Sequence, residues 1–107
     1  MRPDDLWQGR VETRPDRVVV TLAGELDVTT VPALRDLLAE AVLVNPVVDV
    51  DVARLTFLDS TILSVLVAAH QVAVNAGGTL TLLNPTGHVR RILTITGILP
   101  LLEAGTA

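Results

Sequence analysis

The chain has 107 residues, half of them hydrophobic, which fits one compact domain with a sizeable core and leaves too little chain for two. Its formal charge is −4, all eight basic residues are arginines, and only two residues are aromatic, so it lacks the basic face and stacking surfaces of a nucleic-acid-binding protein. The absence of cysteine excludes disulfides and cysteine-ligated metal sites and favours a reducing, cytoplasmic location.

The first 25 residues predict a β-hairpin. The start, "MRPDDLWQGR", lacks the basic segment and apolar stretch of a secretory signal, so no export is expected. Residues Leu6–Thr13 and Arg17–Glu25 are rich in β-forming side chains. The intervening "RPD" favours a turn, so the two runs are expected to pair as antiparallel strands.

The next segment, "DVTTVPALRDLLAEAVL", predicts the first helix. Thr29 or Thr30 can cap its N-terminus. Pro32 suits the first turn, because backbone N–H groups there have no partner within the helix and proline has no N–H to leave unpaired. Asn45 and Pro46 should end the helix. The residues expected to face the core recur at helical spacing: Val31, Leu34, Leu38, Ala41 and Val42.

A strand at Val47–Val52 and a second helix from about Thr61 to Asn75, ended by Gly77 and Gly78, are predicted next. The helix is apolar nearly all round and should be largely buried. Its most apolar part, Ile62–Val74, would reach only about 20 Å against about 30 Å of hydrocarbon, so no membrane insertion is expected.

The remaining chain predicts a strand at "TLTLL", a turn at "NPTG" and a third helix at "HVRRILTIT", whose Val89, Ile92 and Leu93 face the core. A short element could follow in the tail. This order predicts one α/β domain over residues 1–107, with a core of about residues 6–99. We expect a mixed sheet of about four to five strands, parallel wherever a helix crosses over, with helices covering one face.

Three polar residues, Asp59, Ser60 and Thr61, interrupt an apolar run where a strand passes into a helix. Helix capping explains them, because these side chains can accept hydrogen bonds from the four N–H groups that open a helix. A hydroxyl in that first turn also lies in a positive field, where a phosphoryl group is tolerated. Capping and phosphorylation are compatible at this position.

Other chemistry has weaker support. A magnesium-dependent aspartyl-phosphate receiver would need a lysine, and the chain has none. Asp49 and Asp51 are therefore interpreted as solvated strand residues. His70 and His88 are isolated from other ligating residues, so a half-buried histidine and a turn histidine are expected, with no metal site and no cofactor. No base and nucleophile pair indicates an enzyme.

Three segments in order, "LAGELDVTTVPALRDLL", "VDVARLTFLDST" and "GGTLTLLNPTGHVRRILTITGI", resemble the STAS domain of anti-sigma factor antagonists. These are the phosphorylatable switch proteins of bacterial partner-switching systems. The resemblance covers about residues 18–99. The family's G-E-L-D segment stands here as Gly24–Asp27, and its acid, apolar stretch and D-S-S/T-G signature stand as Asp51–Phe57 followed by Asp59–Ile62.

The resemblance implies that Thr61 is the phosphoacceptor, with Ser60 as the second choice, and that Asp27 and Asp59 flank it. It implies a binding face at one end of the sheet, made by the loop after Leu26, the helix start with Ser60, Ile62 and Ser64, and the turn from Asn84 to Thr86.

The implied function is regulation of transcription in a stress response, without catalysis. The unphosphorylated protein would sequester an anti-sigma factor kinase of the GHKL ATPase type and so release a sigma factor. Phosphorylation of Thr61 would end the complex, and a phosphatase would reset it.

One departure from the family pattern is Ile62, where the family usually has glycine. A branched side chain beside the acceptor hydroxyl is expected to hinder a kinase. This leaves open a different class of protein: a STAS accessory subunit that docks on the ATPase of an ABC-type transport complex and has no phosphorylation cycle.

Overall fold

The computed structural model describes residues 6–103, which form a four-stranded sheet with helices in the connections. The elements, with a 3-10 turn at Val28–Thr30 before the first helix, are β1 Trp7–Thr13, β2 Val18–Leu26, α1 Val31–Val44, β3 Val47–Leu58, α2 Ser60–Asn75, β4 Thr79–Leu83, α3 Gly87–Ile95 and α4 Leu99–Leu102.

The strands lie in the order β1-β2-β3-β4. β1 pairs with β2 in antiparallel register, which confirms the predicted hairpin, whereas β2, β3 and β4 are parallel. α1 and α2 connect these parallel strands and contact each other, so both helices run back across the same face of the sheet. The mixed sheet and the α/β fold are confirmed.

The core lies between this face of the sheet and the helices. In β2, the fully buried Val18, Val20 and Leu22 alternate with half-buried residues, as expected for a strand with one covered face. Further residues of the core alternate in the same way on β3 and β4 or recur at helical spacing, among them Val48, Val50, Val52, Leu80, Leu82, Leu34, Leu38, Leu66, Val89 and Leu93.

β3 is twice as long as predicted, because it continues past Val52 to Leu58. The extension stays paired with β2 through two register shifts, one between Thr21 and Ala23 and one between Gly24 and Glu25. Such bulges bend a strand and break its period-two pattern, which is why the sequence did not predict the extension.

Two glycines are required by close backbone approaches. Gly24 has a φ of +93°, and a Cβ atom there would lie 2.1 Å from the carbonyl oxygen of Leu6. At Gly78 a Cβ would lie 2.2 Å from the carbonyl oxygen of Pro46. Gly78 therefore does more than end α2: it lets β4 begin directly beside β3.

The interpretation of Asp49 as a solvated residue is wrong. Asp49 is only 8% exposed, and its Oδ2 accepts a hydrogen bond of 2.8 Å from Nη1 of Arg17, the residue before β2. This bond, followed by a weaker contribution from Asp16, raises the pKa of Arg17 above its ordinary value. An ion pair thus joins β3 to the turn of the hairpin.

The prediction that α2 is largely buried is also only half right. Ile62, Leu63, Val65, Leu66 and Ala73 are buried, but other positions around the helix, including Ala68, Val72 and Val74, are exposed. Within residues 6–103, no helix combines the length and the hydropathy that crossing a bilayer requires.

Candidate functional site

The candidate site lies where two strands end and two helical segments begin. Leu26 of β2 and Leu58 of β3 are register partners, so Asp27 and Asp59 follow neighbouring strands at the same edge of the sheet. Adjacent strands are about 4.8 Å apart. The register therefore brings together two acidic residues that are 32 positions apart in the chain.

Asp59 is the N-cap of α2, and its carboxylate holds Thr61. Oδ1 of Asp59 accepts hydrogen bonds from the backbone N–H groups of Thr61 at 3.1 Å and Ile62 at 3.3 Å. The Thr61 hydroxyl donates to the same oxygen through a short hydrogen bond. Thr61 is exposed, so its hydroxyl is accessible from solvent, oriented by a carboxylate and located in the positive field of a helix start.

Asp27 makes a parallel arrangement one strand away. Its Oδ1 accepts from the Thr29 hydroxyl at 2.5 Å and from the Thr29 N–H at 2.9 Å, while its own N–H donates to the Thr30 hydroxyl at 3.1 Å. The Thr29 hydroxyl is the main cause that lowers the pKa of Asp27. Asp27 therefore caps the 3-10 turn. Thr30 is the N-cap residue of α1, one of the two positions predicted, but its side chain makes no capping hydrogen bond to that helix.

The remaining residues of the α2 start point in different directions. Ser60 and Ser64 are both exposed, and the Ser64 hydroxyl donates a hydrogen bond of 3.3 Å to the carbonyl oxygen of Ser60. Ile62 is fully buried. Successive helical residues are about 100° apart, so Ile62 faces the core while Thr61 faces solvent. The expectation that the Ile62 side chain stands beside the acceptor hydroxyl is wrong.

Asn84 does not join this group. β4 ends one residue earlier, opposite Asp51, and β3 continues for seven more residues to Leu58. Nδ2 of Asn84 donates to Oδ1 of Asp51 at 3.3 Å. The prediction that the turn after β4 lies beside the start of α2 fails at Asn84, because β4 is short and β3 is long.

The chain after this turn does return to the end of β3. The ring of His88, at the start of α3, stacks on the exposed ring of Phe57 with 5.6 Å between centroids and 7° between planes. His88 thus lies in the first turn of a helix and packs on an aromatic ring, and the prediction of a turn histidine is wrong. His70 is half-buried as predicted, with Nδ1 3.0 Å from the carbonyl oxygen of Leu80. Among the described residues, no cluster of acidic, histidine or cysteine side chains could hold a metal ion.

A groove of about 600 Å³ opens beside Thr61, between α1 and α2. Sequence reasoning missed it, because an apolar helix was expected to be buried all round. Its signal was present in the small or short side chains that recur along one side of α2. They are Thr61, Ser64, Val65, Ala68, Ala69 and Val72, and they face Val28, Val31, Pro32, Arg35, Leu38, Ala39 and Val42.

The family model described as "Mlab, STAS domain" matches residues 10–103. The chain belongs to the STAS domain family. The match spans nearly all of the described residues and includes the segments that carried the resemblance in the sequence.

Several members of the family are similar over most of their length. The anti-sigma-B factor antagonist of Bacillus subtilis (strain 168) is 28% identical over 93 residues, which are 87% of this chain and 85% of that protein. The crystal structure of an anti-sigma factor antagonist from Mycobacterium paratuberculosis has a TM-score of 0.78 at 26% identity, covering 92% of this chain and 84% of the other.

The anti-sigma factor antagonist SpoIIAA is similar in both of its forms. The unphosphorylated form has a TM-score of 0.77 at 26% identity, covering 87% of this chain and 84% of the other. The phosphorylated form, described as a Bacillus cell fate determinant, has a TM-score of 0.70 at 25% identity, covering 87% and 86%. The STAS fold expected from the sequence is confirmed.

Proposed function

We propose that this STAS domain is an anti-sigma factor antagonist whose binding is controlled by phosphorylation of Thr61. In its unmodified form it sequesters an anti-sigma factor kinase of the GHKL ATPase type and thereby frees a sigma factor. The kinase phosphorylates Thr61 and so ends the complex, and a phosphatase restores the hydroxyl. The domain itself acts by binding and catalyses no reaction.

The geometry of Thr61 carries this proposal. Its exposed hydroxyl is held by the Asp59 carboxylate in the first turn of α2, and the similar SpoIIAA has a phosphorylated form. Ser60 is exposed too, but no hydrogen bond orients its hydroxyl within the described part of the chain. Thr61 is therefore preferred over Ser60 as the acceptor, and the buried side chain of Ile62 leaves the approach to it open.

The switch follows from charge. A phosphate on Thr61 adds about −1.5 to −2 units beside the carboxylates of Asp59 and Asp27. When a partner covers this edge of the sheet, the phosphate loses water. A partner carboxylate about 6 Å away then costs roughly 3 kcal/mol per unit charge at an effective dielectric constant near 20. That corresponds to about a hundredfold weaker binding.

The test begins with an affinity pulldown of the unmodified chain from its native cell, with mass spectrometry of bound proteins and phosphosites. The recovered kinase is then purified for calorimetric titration and for phosphotransfer from radiolabelled ATP. Thr61→Ala should bind as the wild type does and take up no phosphate, while Thr61→Glu should bind at least several-fold more weakly, since it has a smaller charge than phosphate.

Phosphate uptake by Thr61→Ala, or wild-type affinity of Thr61→Glu, would reduce Thr61 to a helix residue without a switch. Recovery of a transporter ATPase with its permease, and of no GHKL kinase, would replace the proposal by the accessory-subunit function.

A further inference from the structure

The groove between α1 and α2 continues directly from the candidate switch. Thr61 and Ser64 line its beginning and Val72 lines its far end. Thr61 and Val72 are 11 positions apart on α2, or about 16 Å at roughly 1.5 Å per residue, which is three turns of a helix. Val28 and Val72, at opposite ends of the groove, are 60% and 54% exposed.

The walls of the groove suit another helix. α1 and α2 run side by side in the same direction, since each connects a parallel strand to the next. Ala39, Ala68 and Ala69 are the smallest lining residues, and they permit close approach of a third backbone between the two helices. Apolar helices that dock in grooves of this kind do so through side chains at every third or fourth position.

The charge of the groove is equally specific. Arg35 is the one charged residue among those that line it, and no carboxylate faces it there. Arg35 is exposed and forms no ion pair with any residue from 6 to 103. A docked segment with a carboxylate opposite Arg35 would therefore match the groove in both shape and charge.

We propose that this groove receives an apolar helical segment of the partner that Thr61 controls, with an acidic side chain of that segment paired to Arg35. The inference rests on the proposed function for the existence of that partner. It extends the binding surface from the edge of the sheet to three turns of α2. It also gives the switch a second component, because a phosphate on Thr61 attracts Arg35 and repels the partner's carboxylate.

Photocrosslinking in the native cell tests where the partner lies. The crosslinker p-benzoylphenylalanine replaces Ser60 at the switch, Val72 in the groove, or Val74 as the matched control. Val74 is on the same helix and 44% exposed, but it does not line the groove. We expect positions 60 and 72 to capture the same polypeptide, position 74 to capture none, and Thr61→Glu to reduce both adducts.

The crosslinked peptide at position 72 should be an apolar helix with an aspartate or glutamate. If position 60 captures a partner and position 72 does not, the groove proposal fails and the proposed function stands. If position 72 captures a partner that is insensitive to Thr61→Glu, both the coupling and the proposed switch fail. If neither position captures a polypeptide, both proposals are overturned.

Titration of the purified partner with two variant pairs tests shape and charge separately. Ala68→Arg fills the groove, whereas Ala33→Arg changes an exposed alanine of α1 outside it. Arg35→Glu reverses the charge in the groove. Its control, Arg10→Glu, makes the same change of charge on β1, outside the groove. Arg10 is the register partner of Thr21, on the sheet face away from the helices.

Each groove variant should bind at least tenfold more weakly, and each control within about twofold of wild type. Circular dichroism should show all four folded, because the substituted residues are exposed. Unchanged binding by folded Ala68→Arg would refute the groove as the docking site. Unchanged binding by Arg35→Glu would refute the acidic contact.

Discussion

Replacing Thr61 by glutamate should lower the free energy of unfolding even without a partner, because a second carboxylate then stands against the one that caps α2. In the wild type, Oδ1 of Asp59 accepts hydrogen bonds from the Thr61 hydroxyl and from two backbone N–H groups. A glutamate at position 61 cannot donate to that oxygen, and its own charge repels it.

The expected loss is about 1 kcal/mol. Two carboxylates about 5 Å apart in a water-like dielectric repel by about 1 kcal/mol. Loss of an exposed hydroxyl bond to a carboxylate adds about 0.5–1 kcal/mol. The helix N-terminus offsets about 0.3–1 kcal/mol of this sum by its interaction with the new charge. The repulsion depends on Asp59, whereas the helix-dipole interaction does not.

A double-mutant cycle separates these contributions. In an Asp59→Asn background, Thr61→Glu should cost close to zero, so the coupling between the two positions is about 1 kcal/mol, and 1 M salt should reduce it. Ser60→Glu is the matched control. It adds the same charge in the same turn, but Ser60 has no bond to Asp59, so it should be neutral or slightly stabilising.

Urea denaturation followed by circular dichroism measures all of these variants. An equal cost of Thr61→Glu in both backgrounds would refute the reasoning, since the cost would then come from helix propensity and owe nothing to the Asp59 carboxylate.

Three further outcomes test the fold. Leu66→Asp should lower the free energy of unfolding by more than about 4 kcal/mol and unfold the protein at room temperature, because Leu66 is fully buried and the new charge has no partner. A melting curve like that of wild type would show that α2 is packed differently. Asp49→Asn should lower the free energy of unfolding by about 1 kcal/mol, because it removes a half-exposed ion pair with Arg17. Asp36 is exposed, so the control Asp36→Asn should change that free energy by less than about 0.5 kcal/mol when both variants are unfolded in urea. Asp27 has a folded pKa below its unfolded value, so its contribution is fully present above the unfolded pKa of about 3.9 and disappears as the pH falls through the folded pKa. The stability difference between wild type and Asp27→Asn should therefore shrink below about pH 4, and a difference that is constant from pH 6 to 2.5 would contradict it.

Features that depend on neighbours in the chain were predictable from the sequence. Leu34 and Leu38 recur at helical spacing and are buried in α1, and the D-S-T break marks the start of α2, with Asp59 as its cap. Helical periodicity and capping involve residues within four positions of each other, so a short stretch of sequence contains the whole signal.

The resemblance to a family extended the prediction to the site. It selected Asp27, Asp59 and Thr61 together, although nothing in the local pattern relates the first of these to the other two. The register of Leu26 with Leu58 gives the physical reason that the two aspartates belong to one place.

Other features were decided only by tertiary contacts. β3 continues to Leu58 because β2 remains paired with it across two bulges, and this extension separates Asn84 from the start of α2. Asp49 is buried because it belongs to β3, which lies between β2 and β4, and because Arg17 covers its carboxylate. The exposed side of α2 is set by where α1 stops covering it; the recurrence of small side chains along α2 marks that side, but only the packing of α1 makes it a groove. Strand register and the coverage of a helix face depend on residues distant in the chain, so they are fixed only when the elements pack together.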